Sequence, residues 1–86
     1  MEKISVEVLS QASNRPVIQY PGRKFPGILI QGDTVMNLSV AAQALKELDV
    51  GSEEYRHELD GLAEQLASLK HHYEEVLRAN NMALPY

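Results

Sequence analysis

The first third of the chain alternates apolar and polar residues, which is the pattern of short strands. Every second residue in the middle of residues 3–11 is apolar: Ile4, Val6 and Val8. This period of two predicts a strand with these three side chains on a half-buried face. Residues 15–20 predict a second strand, and the apolar triplet at 28–30 is typical of a well-covered central strand within residues 27–31. In meander order the three strands would form a small antiparallel sheet with one face that needs cover.

Beyond residue 32 the apolar period lengthens to between three and four residues, which predicts two helices. The first helix is expected over residues 33–50, with Asp33 or Thr34 accepting its first free backbone N–H groups. Its apolar positions are Val35, Leu38, Ala41, Ala42, Leu45 and Leu48. Ser52 is expected to cap the second helix, and Glu53 and Glu54 lie in its first turn, where the helix dipole favours negative charge.

The second helix, over residues 52–80, carries apolar residues at alternating spacings of four and three. They form a heptad seam of Tyr55, Leu59, Leu62, Leu66, Leu69, Tyr73 and Val76. One interpretation is that the seam packs on the first helix and the sheet. The other is that its outer turns meet a second subunit, which predicts an oligomer interface of Leu59, Leu62, Leu66, Leu69, Tyr73 and Val76. Residues 81–86 form an apolar tail that we expect to dock on the sheet or on a neighbouring subunit.

Length and composition limit the class of protein. Eighty-six residues make a single α+β domain, with the sheet over residues 1–32 followed by a helical hairpin. The absence of cysteine and of long apolar runs favours a cytoplasmic protein without a membrane segment. The net charge is −4, which makes duplex DNA an unsuitable partner, although residues 1–31 carry four cations against two acids.

Those cations include the adjacent pair Arg23 and Lys24, which lie between two Pro-Gly turns. Arg offers a planar fork and Lys a point charge to a phosphate or carboxylate. The aromatic residues Phe25 and Tyr20 could stack on a base, and Arg15 would lie nearby in a hairpin. The alternative is a solvated loop in which Phe25 fills the core.

The segment Gln31-Gly32-Asp33-Thr34 has too few glycines, and no following lysine, for a phosphate cradle. Asp33, Thr34 and Asn37 are better suited to a sugar hydroxyl. The three histidines, which are His57, His71 and His72, are spaced too poorly to chelate one metal within a chain. No nucleophile–base set is suggested, so we expect neither a metal or other cofactor nor an enzymatic activity.

The pattern G-R-K-F-P-G-I-L-I-Q-G-D-T at residues 22–34 resembles the signature of a small uncharacterised family of bacterial and phage proteins. Members share G-R-x-F-P-G, an apolar triplet and Q-G-D-[ST]; the resemblance covers residues 5–48 best and implies no catalytic residues. In architecture the chain is also similar to phage anti-defence sponges, which are small oligomeric proteins without enzymatic activity. They sequester cyclic nucleotide or cyclic ADP-ribose signals in cationic and aromatic pockets at subunit boundaries.

Two functions follow. The first is a homo-oligomer that sequesters a small anionic nucleotide signal, in the host cytoplasm if the chain is phage-encoded. Its ligand-binding residues would be Arg23, Lys24, Phe25, Tyr20, Arg15, Asp33, Thr34 and Asn37. The alternative is a protein-interaction module, such as an immunity protein or small regulator, whose acidic helix meets a basic partner. A domain in which the motif only shapes a turn is the remaining interpretation.

Overall fold

Three short antiparallel strands form a sheet in the order β1-β2-β3, with β1 at Glu7–Ser10, β2 at Val17–Gln19 and β3 at Gly27–Ile28. Two helices follow, α1 at Gly32–Leu45 and the long α2 at Glu53–Ala79. The computed structural model describes residues 1–11 and 14–86. This arrangement confirms the predicted α+β class, with a meander sheet followed by two helices of which the second is long.

The chain divides into two compact units, and their boundary falls within α2. The first unit comprises Met1–Ile30 and His71–Tyr86, and the second comprises Gln31–Lys70. The sheet and the last turns of α2 therefore belong to the first unit, whereas α1 and the first two-thirds of α2 belong to the second.

The alternation in residues 3–11 predicts the wrong buried face. Ile4, Val6 and Val8 are 52 %, 37 % and 43 % exposed, and residues 3–6 lie outside β1. Residues 3–6 have no strand to pair with on the β2 side. In the antiparallel pairing they would lie opposite the residues that follow Gln19, and the chain there bends away into a turn. The pairing register shifts between Val8 and Ser10. This bulge breaks the period of two, and Leu9 is the side chain that packs on the core.

The apolar triplet at residues 28–30 also differs from its prediction. β3 lies at the edge of the sheet rather than at its centre, and the Leu29 side chain is 53 % exposed. The Leu29 N–H donates to the Pro16 carbonyl at 2.9 Å. This bond extends the pairing of β3 with β2 by one residue beyond the Val17–Ile28 pair. The triplet is apolar without being covered on both faces.

The core of the first unit joins the sheet to the end of α2. Val17, Val76 and Leu77 are buried, and four partly buried side chains pack against them: Leu9, Tyr73, Met82 and Leu84. The tail that follows α2 thus contributes two side chains to the core of its own chain. Burial of apolar surface of this kind is the main favourable term in folding.

A reversal of the backbone at Asn81 directs this tail toward the core. Asn81 has a φ of 55°, the Asn81 N–H donates to Arg78, and the Met82 N–H donates to the Leu77 carbonyl at 2.9 Å. This pair of bonds is a Schellman motif, which satisfies carbonyls at the end of a helix and brings the following apolar residue onto its last turn. The Tyr86 hydroxyl then donates to Glu74 at 2.8 Å.

In the second unit, α1 begins one residue earlier than predicted. Gln31, in extended conformation, is the N-cap and makes no side-chain cap bond, so neither Asp33 nor Thr34 is the capping residue. The Asp33 carboxylate still accepts the free N–H of Thr34 at 2.8 Å, from inside the first turn. At α2 the Ser52 hydroxyl accepts the Tyr55 N–H at 3.0 Å, which confirms the predicted cap.

Burial is incomplete throughout this helical unit. Within residues 31–70, all of which the structure describes, no side chain is buried. One stripe of α1 is half-buried: Thr34, Leu38, Ala41, Leu45 and, just beyond the helix, Leu48. Met36 and Val40 are exposed. In the part of the chain that the structure describes, no helix is long and apolar enough to cross a membrane.

Candidate ligand-binding site

The adjacent cations lie on a type II β-turn followed by a short bend, and we call residues 20–25 the cationic turn. Pro21 occupies the second position, where its fixed φ is favoured, and Gly22 occupies the third with a φ of 81°. The Arg23 N–H closes the turn by donating to the Tyr20 carbonyl at 3.2 Å. A left-handed third position is what this turn type requires, so the Pro-Gly pair fixes the direction in which Arg23 leaves the sheet.

Two side chains outside the turn hold it in place. The Gln19 amide donates to the Arg23 carbonyl at 2.7 Å and to the Tyr20 carbonyl at 3.3 Å. From α2, the Tyr73 hydroxyl donates to the carbonyl of the buried Pro26 at 2.6 Å. Burial raises the pKa of the Tyr73 phenol above its ordinary value of 10.0, so the hydroxyl keeps the proton it donates.

The cationic turn lines an open depression of about 570 Å³ together with Gly27. The other lining side chains are Tyr20, Arg23, Lys24 and Phe25. The sequence singled out all four of these, and the fold brings them to one surface of the first unit. The volume falls within the range of small-molecule sites, which is roughly 300–1,000 Å³.

The charges of the cationic turn are not neutralised by the carboxylates of the described residues. The ion pairs among the described residues link Arg78 to Glu74 and Glu75, and His71 Nε2 lies 4.0 Å from a Glu75 carboxylate oxygen. Arg23 and Lys24 take part in none of them. The Lys24 ammonium lies 5.4 Å from the centre of the Phe25 ring, which is a cation–π contact.

The two aromatic side chains differ in how much surface they offer a ligand. Phe25 is half-buried, and Lys24 occupies one side of its ring. Tyr20 is 50 % exposed at the other end of the cationic turn. A planar ligand would therefore find the more accessible stacking surface on Tyr20, while Phe25 supports the ammonium beside it.

The remaining sequence-predicted ligand residues do not line the depression. Arg15 is half-buried in the first unit, and its carbonyl accepts a hydrogen bond from His72 Nε2 at 2.9 Å. The other three lie on the first turns of α1 in the second unit: Asp33, Thr34 and Asn37. Asp33 and Asn37 are exposed there, and Thr34 is half-buried.

The six predicted interface residues on α2 lie in contrasting surroundings. Val76 is buried in the core of the first unit, and Tyr73 packs against that core, so these two side chains serve their own chain. Leu62 and Leu69 are half-buried, whereas Leu59 and Leu66 are 41 % and 50 % exposed. The apolar surface left open on the seam thus belongs to the leucines of the second unit.

Gln19 and the Tyr73 hydroxyl are the parts of the site that the sequence did not indicate. In the sequence, Gln19 is an ordinary polar residue near the end of a predicted strand, and Tyr73 is one member of the heptad seam. A tyrosine that packs against a core needs a partner for its hydroxyl, and that requirement is the available signal for Tyr73. No comparable signal marks Gln19, because its bonds to Tyr20 and Arg23 depend on the turn geometry.

A second open depression, of about 550 Å³, lies at the start of α2 in the second unit. Its lining is mostly acidic: Glu53, Glu54, Arg56, His57 and Asp60. Across the described residues, no group of three or more His, Cys, Asp or Glu side chains is arranged to hold a metal ion.

The fold and the cationic turn thus define a small α+β protein with an exposed cationic and aromatic surface. Over residues 1–86 the chain matches the model of a family of unknown function, DUF6959, and it belongs to that family. No curated protein and no solved structure matches the chain.

Proposed function

We propose that this protein is a non-enzymatic, homo-oligomeric binder that sequesters a small anionic nucleotide signal of the cyclic nucleotide or cyclic ADP-ribose type. One observation carries the proposal. Two cations without carboxylate partners among the described residues line the same depression as two aromatic side chains, in a chain whose net charge is −4. A site that combines a phosphate-binding charge pair with a stacking surface matches the two chemical parts of a nucleotide.

Each side chain has a distinct role in this proposal. Arg23 binds a phosphate through its guanidinium fork, and the adjacent Lys24 adds a second positive charge. Tyr20 stacks on the base. Gly27 also lines the depression, and because it carries no side chain, none occupies the space at this position.

The predicted sugar-binding residues, Asp33, Thr34 and Asn37, lie on the first turns of α1 in the second unit, so the site of this proposal consists of the side chains of the first unit. Copies of the chain would assemble through the exposed leucines of the heptad seam, Leu59 and Leu66, which we call the seam leucines. A neighbouring copy would then supply further ligand contacts. A cytoplasmic location, which would be the host cytoplasm if the chain is phage-encoded, belongs to the same proposal.

A thermal-shift and calorimetric titration with cyclic mono-, di- and trinucleotides and with cyclic ADP-ribose isomers tests this function. We expect binding at micromolar concentration by one of these classes, with Arg23→Ala abolishing it. Arg23→Lys keeps the charge but loses the fork, so it should weaken binding by about tenfold, the value of one good charge-assisted hydrogen bond.

The matched controls separate a site from general electrostatics. Lys24→Ala and Lys46→Ala remove the same charge, one from the depression and one from the exposed end of α1. Only Lys24→Ala should weaken binding. Equal effects of the two variants would show non-specific attraction, and failure of every nucleotide to bind at micromolar concentration would end the proposal.

A second candidate function is a protein-interaction module that uses the acidic surface of α2. The observation in its favour is the acidic depression of the second unit, which Glu53, Glu54 and Asp60 line. Opposite charge on a partner would steer association with this surface. Affinity purification from the source cell decides between the two: a stoichiometric basic protein supports the module, and recovery of the chain without a partner protein counts against it.

A further inference from the structure

The segment that precedes β1 carries a strand pattern but has no strand beside it. Residues 3–6 are exposed and extend beyond the point at which β2 ends, because Glu7 is paired with Gln19 and the chain then enters the cationic turn. β1 is also an edge strand of the sheet. Its outer side therefore offers unpaired backbone donors and acceptors along residues 3–7, which is a template for another strand.

The side chains of this segment are complementary to a second copy of themselves. In an antiparallel pair centred on Ser5, Lys3 of one copy lies opposite Glu7 of the other, and Ile4 lies opposite Val6. The pair therefore contains two opposite-charge contacts and two apolar contacts, related by a twofold axis through Ser5. Cross-strand pairs of both kinds stabilise antiparallel sheets.

Neighbouring registers lose this complementarity. A shift by one residue places Lys3 opposite Val6 and puts the apolar set of one copy on the polar face of the other. A shift by two residues places Lys3 or Glu7 opposite Ser5 and leaves both charges without a partner. The bulge between Val8 and Ser10 interrupts the regular strand on the other side, so the pairing surface is confined to the segment before it.

We infer that residues 3–7 form an isologous antiparallel strand contact between two copies of this chain, which joins their sheets edge to edge. The occupant of the edge is a second copy because the charge complementarity belongs to the segment itself. This contact is separate from the seam leucines of α2. Two different isologous contacts on one chain close into a tetramer when their twofold axes intersect at right angles.

Cysteine cross-linking tests the register directly, since the natural chain has no cysteine. Directly opposed residues of an antiparallel pair have Cα atoms about 4.5–5.5 Å apart, which a disulfide can span. Ser5→Cys should therefore form a cross-linked dimer under mild oxidation. Lys3→Cys alone should not, because the two Lys3 positions would lie about 14 Å apart, whereas a mixture of Lys3→Cys and Glu7→Cys chains should cross-link.

Charge exchange provides a second readout that needs no oxidation. Lys3→Glu places like charges opposite each other at two positions and should weaken the dimer by about tenfold or more in sedimentation experiments. The double variant with Lys3→Glu and Glu7→Lys restores both pairs and should recover the affinity. Ser39→Cys, at an exposed position of α1, is the control for random collision.

The inference fails if Ser5→Cys cross-links no faster than Ser39→Cys, or if the double charge exchange leaves the dimer as weak as Lys3→Glu does. Pairing of residues 3–7 with a strand of a different protein, while the purified chain remains monomeric, would also overturn it. None of these outcomes depends on whether a nucleotide binds, so this test and that of the proposed function can fail independently.

Discussion

Replacement of Gly22 by alanine should destabilise the protein although no atom obstructs the new side chain. Nothing lies within 4 Å of the position that a Cβ would take, but the φ of Gly22 is 81°. A left-handed conformation costs an alanine about 1–2 kcal/mol, because its Cβ approaches the following carbonyl oxygen. For a chain of this length we expect Tm to fall by roughly 4–16 °C.

Gly61 provides the matched comparison. It lies within α2, and a Cβ there would also meet nothing within 4 Å. Its backbone is helical, so Gly61→Ala should raise the free energy of unfolding by about 1 kcal/mol. The same chemical change is therefore expected to have opposite signs at two uncrowded positions. Gly22→Asn should cost less than Gly22→Ala, because asparagine tolerates this conformation, as Asn81 already does at a φ of 55°.

Thermal unfolding followed by far-ultraviolet circular dichroism measures these differences. All variants must be compared at one protein concentration, because self-association makes Tm depend on concentration. If Gly22→Ala melts at the wild-type temperature, the positive φ is not enforced by the fold and the proposed fixed direction of Arg23 is wrong. If Gly61→Ala melts at a lower temperature than the wild type, the claim that Gly61 lies in an uncrowded part of a helix is wrong.

Three further substitutions test the packing of each part of the chain. Leu77→Ala empties a fully buried position and should cost about 2–5 kcal/mol in urea unfolding, against a much smaller loss for Leu66→Ala, whose side chain is half exposed. Ser52→Ala removes the cap of α2 and should cost about 1 kcal/mol by the same measurement. Tyr73→Phe leaves the Pro26 carbonyl without its donor and should cost about 1–3 kcal/mol. Because burial raises the Tyr73 pKa, the stabilisation that Tyr73 contributes is complete below about pH 10 and is lost as the pH rises through the folded pKa. The wild type should therefore lose more stability than Tyr73→Phe as the pH is raised above about 10.

Both helices could be predicted from the sequence because their signals are local, although α1 ends at Leu45 and not near residue 50. The 27-residue span of α2 follows from its heptad spacing and from Ser52, and both operate within a few residues. The strands were less predictable, since strand length depends on the partner. Residues 3–6 have a strand pattern, but β2 turns away at Pro21, and pattern alone does not contain that information.

The side chains that line the candidate site could be predicted from the sequence, but the contacts that hold the cationic turn in place could not. Two Pro-Gly pairs around adjacent cations are visible in the sequence, and four of the eight predicted ligand residues line the same depression. The contacts of Gln19 and Tyr73 that fix the turn depend on atoms brought together from residues 4 and 47 positions apart. The sequence does not identify Pro26 as the partner of Tyr73, and the Gln19 contact depends on the geometry of the turn.

The central claim is that the cationic turn holds a small anionic nucleotide within an assembly of identical chains. Native mass spectrometry of the protein purified from its own host tests this claim most directly, because it reports the number of chains and any retained small molecule together. We predict an oligomer that carries a nucleotide in fixed proportion to the chains, and loss of that mass in Arg23→Ala with the assembly intact. If the purified protein carries no bound molecule, and the mass spectra of the wild type and Arg23→Ala show the same species, the account is contradicted.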